Sequence, residues 1–556
     1  MTRMRWSIPM KTGALLALAL AAASAAPGRP VTFESFEYTG RDAVFSAPLE
    51  DGHYRNPVLA GFYPDPDICR VGDDYYVVNS SFGYFPGIPV FHSRDLVNWK
   101  QVGSVIDRPG QLDYKGLGVS RGIFAPSLSY RAGTFYLICT FVDGGGNFLV
   151  TAANPAGPWS DPTWLGFDGI DPSILLDDDG RAWVVNNGAP PDNKPLYSGH
   201  RAIWIQELDL ANRKLVGTRT IIVNGGVNLA DHPVWIEAPH LFRKDGWYYL
   251  ICAEGGTAEQ HSEVVFRSRS VLGPFVPGPT NPILTQRTLP DSRADPVTST
   301  GHAELVSATD GTWWAVFLGC RPYRGGDYNT GRETFMLPAT WTDGWPTILA
   351  PGLPVPYSVP SPLGASVGDA AAAPLTGNFT WRDDFRGPRL SKLWMGLRAL
   401  PQVTLGAEGL GLTASQDALS GVGYPAFVAR RIQHARFTAS TTLLTPSEGV
   451  SAGLAAFQNE AHHYFFGVHR GKAGLEVFVE RLNGTPAERI AREAIADTGR
   501  IELRMTEDDS TCSFEYSCGA APWRTLLEGA DATLLSTRVA GGFVGAVVGP
   551  HARIDP

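Results

Sequence analysis

Five short runs in the first two-thirds of the chain share one pattern, a turn residue followed by aromatic and β-branched or apolar residues. They are Asp74-Tyr75-Tyr76-Val77-Val78, Thr134-Phe135-Tyr136-Leu137-Ile138, Ala182-Trp183-Val184-Val185, Gly246-Trp247-Tyr248-Tyr249-Leu250 and Thr312-Trp313-Trp314-Ala315-Val316. Each is too short for a helix and rich in strand formers. Counted from the leading aromatic, they recur at spacings of 60, 48, 64 and 66 residues. Four strands with their turns fit that period, which predicts propeller blades with long loops. The alternative is a set of unrelated aromatic strands in a sandwich.

A second motif precedes each run: Asp65-Pro66-Asp67-Ile68, Ala125-Pro126-Ser127-Leu128, Asp171-Pro172-Ser173-Ile174, Glu237-Ala238-Pro239-His240-Leu241 and His302-Ala303-Glu304-Leu305. Their first residues lie 10, 10, 12, 10 and 11 positions before the leading aromatic. Each blade is therefore expected to open with an inner strand lining a central channel, where Pro is tolerated at the first positions. Asp65, Ala125, Asp171, Glu237 and His302 are the expected channel-facing set. Three acids and a histidine around one channel repel and desolvate one another, which raises at least one carboxyl pKa. Such a grouping suits chemistry that needs one carboxylic acid beside one carboxylate.

Further on, Ala429-Arg430-Arg431-Ile432, Phe437-Thr438-Ala439-Ser440-Thr441-Thr442-Leu443 and Ile501-Glu502-Leu503-Arg504-Met505 alternate as antiparallel strands with one wet face. A stretch rich in Pro, Ala, Gly and Ser separates the two regions. At the start, Arg3, Arg5 and Lys11 precede an apolar run from Ala14 to Ala22, and Ala23-Ser24-Ala25 follows. That is a secretory signal pattern. The expected division is a signal peptide at 1–25, an N-terminal extension at 26–50, a propeller at 51–355, a linker at 356–379 and a β-sandwich at 380–556. An exported chain, periplasmic or extracellular, is expected, without a membrane anchor.

Composition narrows the class. Of 556 residues, 44% are hydrophobic and 18% charged, enough for a packed core. Gly 62 and Pro 43, with 15 Trp, 18 Tyr and 27 Phe, favour short strands and tight turns over long helices. A net charge of −9 argues against a nucleic-acid partner. Cys139, Cys252 and Cys320 lie in apolar runs as expected buried thiols, and no spacing among the six cysteines fits a zinc site. Asp177-Asp178-Asp179-Gly180 reads as a hairpin turn; Gly188 stands where a calcium loop needs its bidentate Glu.

The stretch from Asn56 to Trp99, with IDPSILLDDDG, EAPHLFRKDGWYYLICAEGGT, TGHAEL and TGRETF, resembles glycoside hydrolase family 43. The resemblance is to the branch of β-xylosidases and α-L-arabinofuranosidases with a C-terminal concanavalin-like sandwich, and runs from about Arg55 to Pro556. It implies an all-β fold, a five-bladed propeller followed by a jelly-roll sandwich, and hydrolysis with inversion at the anomeric carbon. Carried over by position, Asp65 is the general base, Glu237 the general acid and Asp171 an anion that keeps Glu237 protonated. Inverting pairs stand about 6.5–9.5 Å apart to admit a water. Arg332, in Gly331-Arg332-Glu333-Thr334, matches an arginine that binds sugar hydroxyls. Phe82 and Phe124 match pocket-wall aromatics, although relatives often carry Trp or Tyr at the latter position. Thr257 is a further pocket residue, and Phe543, in Gly542-Phe543-Val544-Gly545, a residue of a sandwich loop that closes the mouth.

His302 is expected to bind substrate, or to hold a water or structural calcium ion; no cofactor is required. The expected partner is a xylo-oligosaccharide or arabinoxylan fragment, and a homo-oligomer stays open. Two rivals remain at this point, a carbohydrate-binding propeller without chemistry and a retaining fructosidase-like hydrolase.

Overall fold

The computed structural model describes residues 30–555 except 291, 324, 366–367, 369–373 and 485, so the expected signal segment lies outside the described residues. Five antiparallel sheets form the blades, each of strands that follow one another in the chain except that Tyr84–Phe85, inside the first, pairs instead with Gly396–Leu397. Their inner strands are Asp67–Val71, Gly122–Arg131, Ile170–Leu176, Glu237–Lys244 and Thr298–Ser307. The aromatic runs are the second strands: Asp74–Val78, Thr134–Val142, Ala182–Gly188, Trp247–Glu254 and Trp313–Cys320. Each inner strand touches that of the next blade, and the fifth touches the first. A ring of five blades results.

The aromatics hold neighbouring blades together. Tyr76 of the first blade meets Phe135 of the second edge-on at 5.3 Å, and Phe242 of the fourth lies 5.6 Å from Trp313 of the fifth. Such ring pairs add roughly 0.5–1.5 kcal/mol each beyond the area they bury. Among the described residues no strand is shared between the first and last blades. Instead the segment before the first blade closes the ring. Leu59 exchanges both backbone hydrogen bonds with Thr334. The fully buried Asn56 side chain accepts from Met336 N (2.9 Å) and donates to Met336 O (2.8 Å), acting as a strand edge.

The second unit is a sandwich of an eight-stranded and a seven-stranded sheet. Here the expected boundaries change. Pro30–Gly40, read as part of an N-terminal extension, lies inside the eight-stranded sheet, paired with Arg436–Leu444 on one side and with Gly409–Thr413 and Thr380–Asp383 on the other. Its Phe33, Phe36 and Tyr38 are fully buried. The region read as a linker is docked as well. Ser358–Pro360 pairs with His53–Arg55, and Ala60 N donates to Leu375 O. All six cysteines are unpaired, with Cys512 and Cys518 near the ends of one strand, Thr511–Cys518.

Replacing Asn56 with Ala leaves the buried N–H of Met336 without its partner, while the Met336 C=O keeps the Tyr54 hydroxyl at 2.6 Å. The expected loss is about 1–3 kcal/mol of stability, read from the urea unfolding midpoint. Asn56→Asp, which lacks the N–H donor, should recover only part of it.

Candidate active site

The inner strands share a device that turns side chains into the channel. Asp65, Ala125, Asp171, Ala238 and His302 all have left-handed backbones, with φ of 53°, 40°, 53°, 48° and 52°. Pairing with the second strand skips at this point, between Phe124 and Ser127, Ile170 and Ser173, Glu237 and His240, and Gly301 and Glu304. Bulges of this kind re-aim one side chain and bend the strand. The set corrects the sequence reading at one position. In the fourth blade the equivalent residue is Ala238, and Glu237 sits one residue earlier. Glu237 is thus out of phase with the other acids.

The acids nevertheless converge. Asp171 Oδ2 accepts from the N–H of Ala238, next to Glu237, at 3.2 Å. Asp65 Oδ1 lies 3.0 Å from Arg332 Nη1 and 3.6 Å from His302 Nδ1, while Ser80 Oγ donates to its Oδ2 at 2.5 Å. All of these groups are buried. Burial alone pushes the Asp65 carboxyl up, but Arg332, His302 and the Ser80 hydroxyl outweigh it and hold it below the usual carboxylate range. Glu237 is pushed well above that range, by burial first and then by Asp171 and Asp65. Asp171 is pushed up to about 7, again by burial and then by Asp65. Asp171 and Glu237 thus both bind protons more tightly than free carboxyls, each raising the other's affinity, while Asp65 carries the fixed negative charge. His302 is pushed down to about 3 and His261 to about 4, both mainly by burial, so both rings are neutral near pH 7.

Phe82, Phe124 and Phe543 come together in one cluster. Phe82 meets Phe124 edge-on at 5.2 Å and stacks with Phe543 at 6.3 Å; Phe124 and Phe543 are 5.5 Å apart. The Arg332 guanidinium lies 5.8 Å from the Phe82 ring centre and 5.6 Å from that of Phe543, and Nη2 donates to Phe543 O at 3.4 Å. Phe543 N in turn donates to Ser120 Oγ at 3.0 Å. The sandwich thus delivers Phe543 to the propeller's site through contacts with both Arg332 and Ser120. Thr257 stands half-buried on the loop after Trp247–Glu254, outside this contacting set.

Three contributors are not among the residues the motifs single out, although Ser80 falls within the Asn56–Trp99 stretch. Ser80 binds Asp65 and also accepts from Ala125 N at 2.7 Å, Ser120 anchors Phe543, and the fully buried His261 bonds Ser299 O at 2.9 Å. A serine in a loop gives no signal of its own; only its place beside Phe82 hints at Ser80.

One step along each inner strand lies a second set of channel residues. His240 Nδ1 is 2.6 Å from Glu304 Oε2 and 3.4 Å from Asp67 Oδ2, and Asp67 Oδ1 accepts from Leu128 N at 2.9 Å. Among the described residues these three form a grouping with metal-like spacing, and His302 is not among them. The donors do not suit calcium, which takes six to eight oxygen ligands. Despite burial, Glu304 and Asp67 raise the His240 pKa to about 9, so an imidazolium already supplies the positive charge between the carboxylates.

Residues 54–346 match the family described as Glycosyl hydrolases family 43, and residues 382–553 the Beta xylosidase C-terminal Concanavalin A-like domain. The chain belongs to glycosyl hydrolase family 43. A relative in Butyrivibrio fibrisolvens, named xylosidase/arabinosidase, is 38% identical over 89% of this chain and 95% of its own. A non-reducing end α-L-arabinofuranosidase of Bacteroides ovatus is 35% identical over 90% of this chain and 91% of its own. Among solved structures, a GH43_12 protein from a capybara gut metagenome superposes with a TM-score of 0.89 at 40% identity, covering 95% of this chain and all of that one. The xylan β-1,4-xylosidase of Bacillus halodurans gives 0.80 at 34% identity, covering 90% of this chain and 97% of that one.

The raised Asp171 pKa has a consequence for stability. The folded protein holds a proton there that the unfolded chain releases near pH 4, so this contribution is present at low pH and is lost as pH rises toward about 7. Asp171→Asn should flatten the dependence of stability between pH 5 and pH 8, by on the order of 1 kcal/mol per unit in the lower part of that window. Thermal unfolding at the two pH values checks it.

Proposed function

We propose that the protein is an exo-acting, inverting hydrolase that removes xylose or arabinofuranose units from xylo-oligosaccharides or arabinoxylan fragments. The observation that carries this reading is the split in proton affinity between Asp65 and Glu237 around the Arg332 guanidinium. Asp65, ionised across the working range, takes a proton from a water as its oxygen attacks the anomeric carbon. The glycosidic C–O bond breaks, and Glu237 gives its proton to the leaving oxygen. Asp65 ends protonated and Glu237 ionised, and exchange with solvent restores both. Asp171 holds Ala238, and with it Glu237, through the backbone N–H. Phe124 and Phe543, backed by the fully buried Phe82, wall the ring being released. Closure by Phe543 favours substrates presented by the chain end, in keeping with relatives named for both xylosidase and arabinosidase activity.

Glu237→Gln and Asp65→Asn should each cut hydrolysis of aryl xylosides and arabinofuranosides by about 100- to 10,000-fold while sugar binding persists. Full activity in either variant overturns the assignment, and a wild type that binds sugars without cleaving them favours a binding propeller. Proton NMR of the first product should show an inverted anomeric centre; retention contradicts Asp65 as base.

We also propose that the chain is exported, on the strength of the basic, apolar and small-residue succession through Ala25. Amino-terminal sequencing of the exported protein should begin close to Ala26.

A further inference from the structure

The groups above account for the ring being released and leave the sugar on the other side of the scissile bond without a partner. That sugar must lie toward Glu237, since the acid protonates the oxygen it keeps. Two residues before Glu237 stands Trp235, with 41% of its surface exposed, beside Val234, equally exposed. A large apolar side chain left in water this close to a buried acid calls for an explanation, because indole is among the most costly groups to leave solvated.

The backbone is arranged to keep it there. Trp235 has a left-handed backbone, φ 48°, an unfavourable state for a bulky residue. It is fixed by Trp235 N donating to Gly199 O at 2.9 Å and by Gly255 N donating to Val234 O at 2.8 Å. The indole lies close to two glycines: a Cβ at Gly199 would come within 3.4 Å of its five-membered ring, and one at Gly256 within 3.5 Å of its six-membered ring. Both glycines have φ of their own in the left-handed region, 85° and 74°. Residue 256 adjoins Thr257. Close by along the chain, Tyr197 stacks between His200 (4.8 Å) and His232 (4.7 Å), adding flat rings to this side. Strained, exposed backbone of this kind persists at ligand-binding positions when surrounding contacts enforce it.

We propose that Trp235 is a stacking platform for the leaving-group sugar, a pyranose ring of the xylo-oligosaccharide or arabinoxylan backbone beyond the scissile bond. The inference rests on the glycosidase reading above and adds to it the residue that selects for a sugar aglycone. The flat apolar face of the indole matches the C–H face of a pyranose, and Trp235 touches no reacting atom. Its contribution is positioning and specificity.

The test compares leaving groups. Wild type and Trp235→Ala are assayed on a 1,4-linked xylobiose or an arabinofuranosyl-xylobiose, whichever the wild type cleaves, and on the matching methyl glycoside, whose leaving group is methanol. The variant should lose about tenfold in kcat/KM on the oligosaccharide and stay within about twofold on the methyl glycoside. Trp235→Tyr should recover most of the loss, because it restores a flat ring in the same backbone. An equal loss on both substrates assigns Trp235 a structural role and overturns the proposal, as does no loss on either. A wild type that cleaves neither substrate overturns the glycosidase reading itself. That outcome is distinct from a failure of the platform.

Discussion

The guanidinium of Arg332 fixes how charge is shared among the buried carboxyl groups of the channel. It lies against Asp65 and between two phenylalanine rings, where little water screens it. With that cation on one carboxylate, the remaining two groups meet an anion and a dry environment, and both bind protons more tightly. The asymmetry needs no special chemistry in the acids themselves. It follows from which of three similar groups stands beside the arginine.

That arrangement in turn depends on the seam between the two units. Arg332 opens the strand Arg332–Thr342, and the loop before it is gripped by the sandwich. Asn329 donates to the buried Glu507 at 2.7 Å and its carbonyl accepts from Ala546 N at 2.8 Å, while Thr537 N donates to Tyr328 O at 3.2 Å. Arg332 Nη2 then reaches Phe543 O. The sandwich holds both flanks of the arginine. Catalytic electrostatics and domain packing are here the same set of contacts.

Much of this was legible in the chain. The paired aromatics recur because every blade must cover its neighbour, and the Pro-containing motifs recur because every inner strand must bend toward the axis. Three acids at such bends stood out for the same reason. Glu237 was placed one position out of phase because a bulge adds a residue that spacing alone cannot see; the prolines at 66, 126, 172 and 239 carried the true alignment. Pro30–Gly40 escaped recognition as a sandwich strand for two reasons. Its alternation breaks at the irregularity between Phe33 and Ser35, and its partners lie far away, with Tyr38 bonding His434 across 396 residues. Ser80 and Ser120 were invisible because a hydroxyl matters only through what the fold brings to it.

The position of Pro30–Gly40 also bears on the order in which the protein can be made. This strand leaves the ribosome before any of the blades, whereas Arg436–Leu444, its long neighbour in the sheet, follows some 400 residues later. All five blades are complete before the sandwich can take in its own middle strand. The second unit is therefore not a detachable module, and a gene fragment encoding only the C-terminal half would specify a sheet with a gap at its centre. Inheritance of the two units together follows from the weave of the chain.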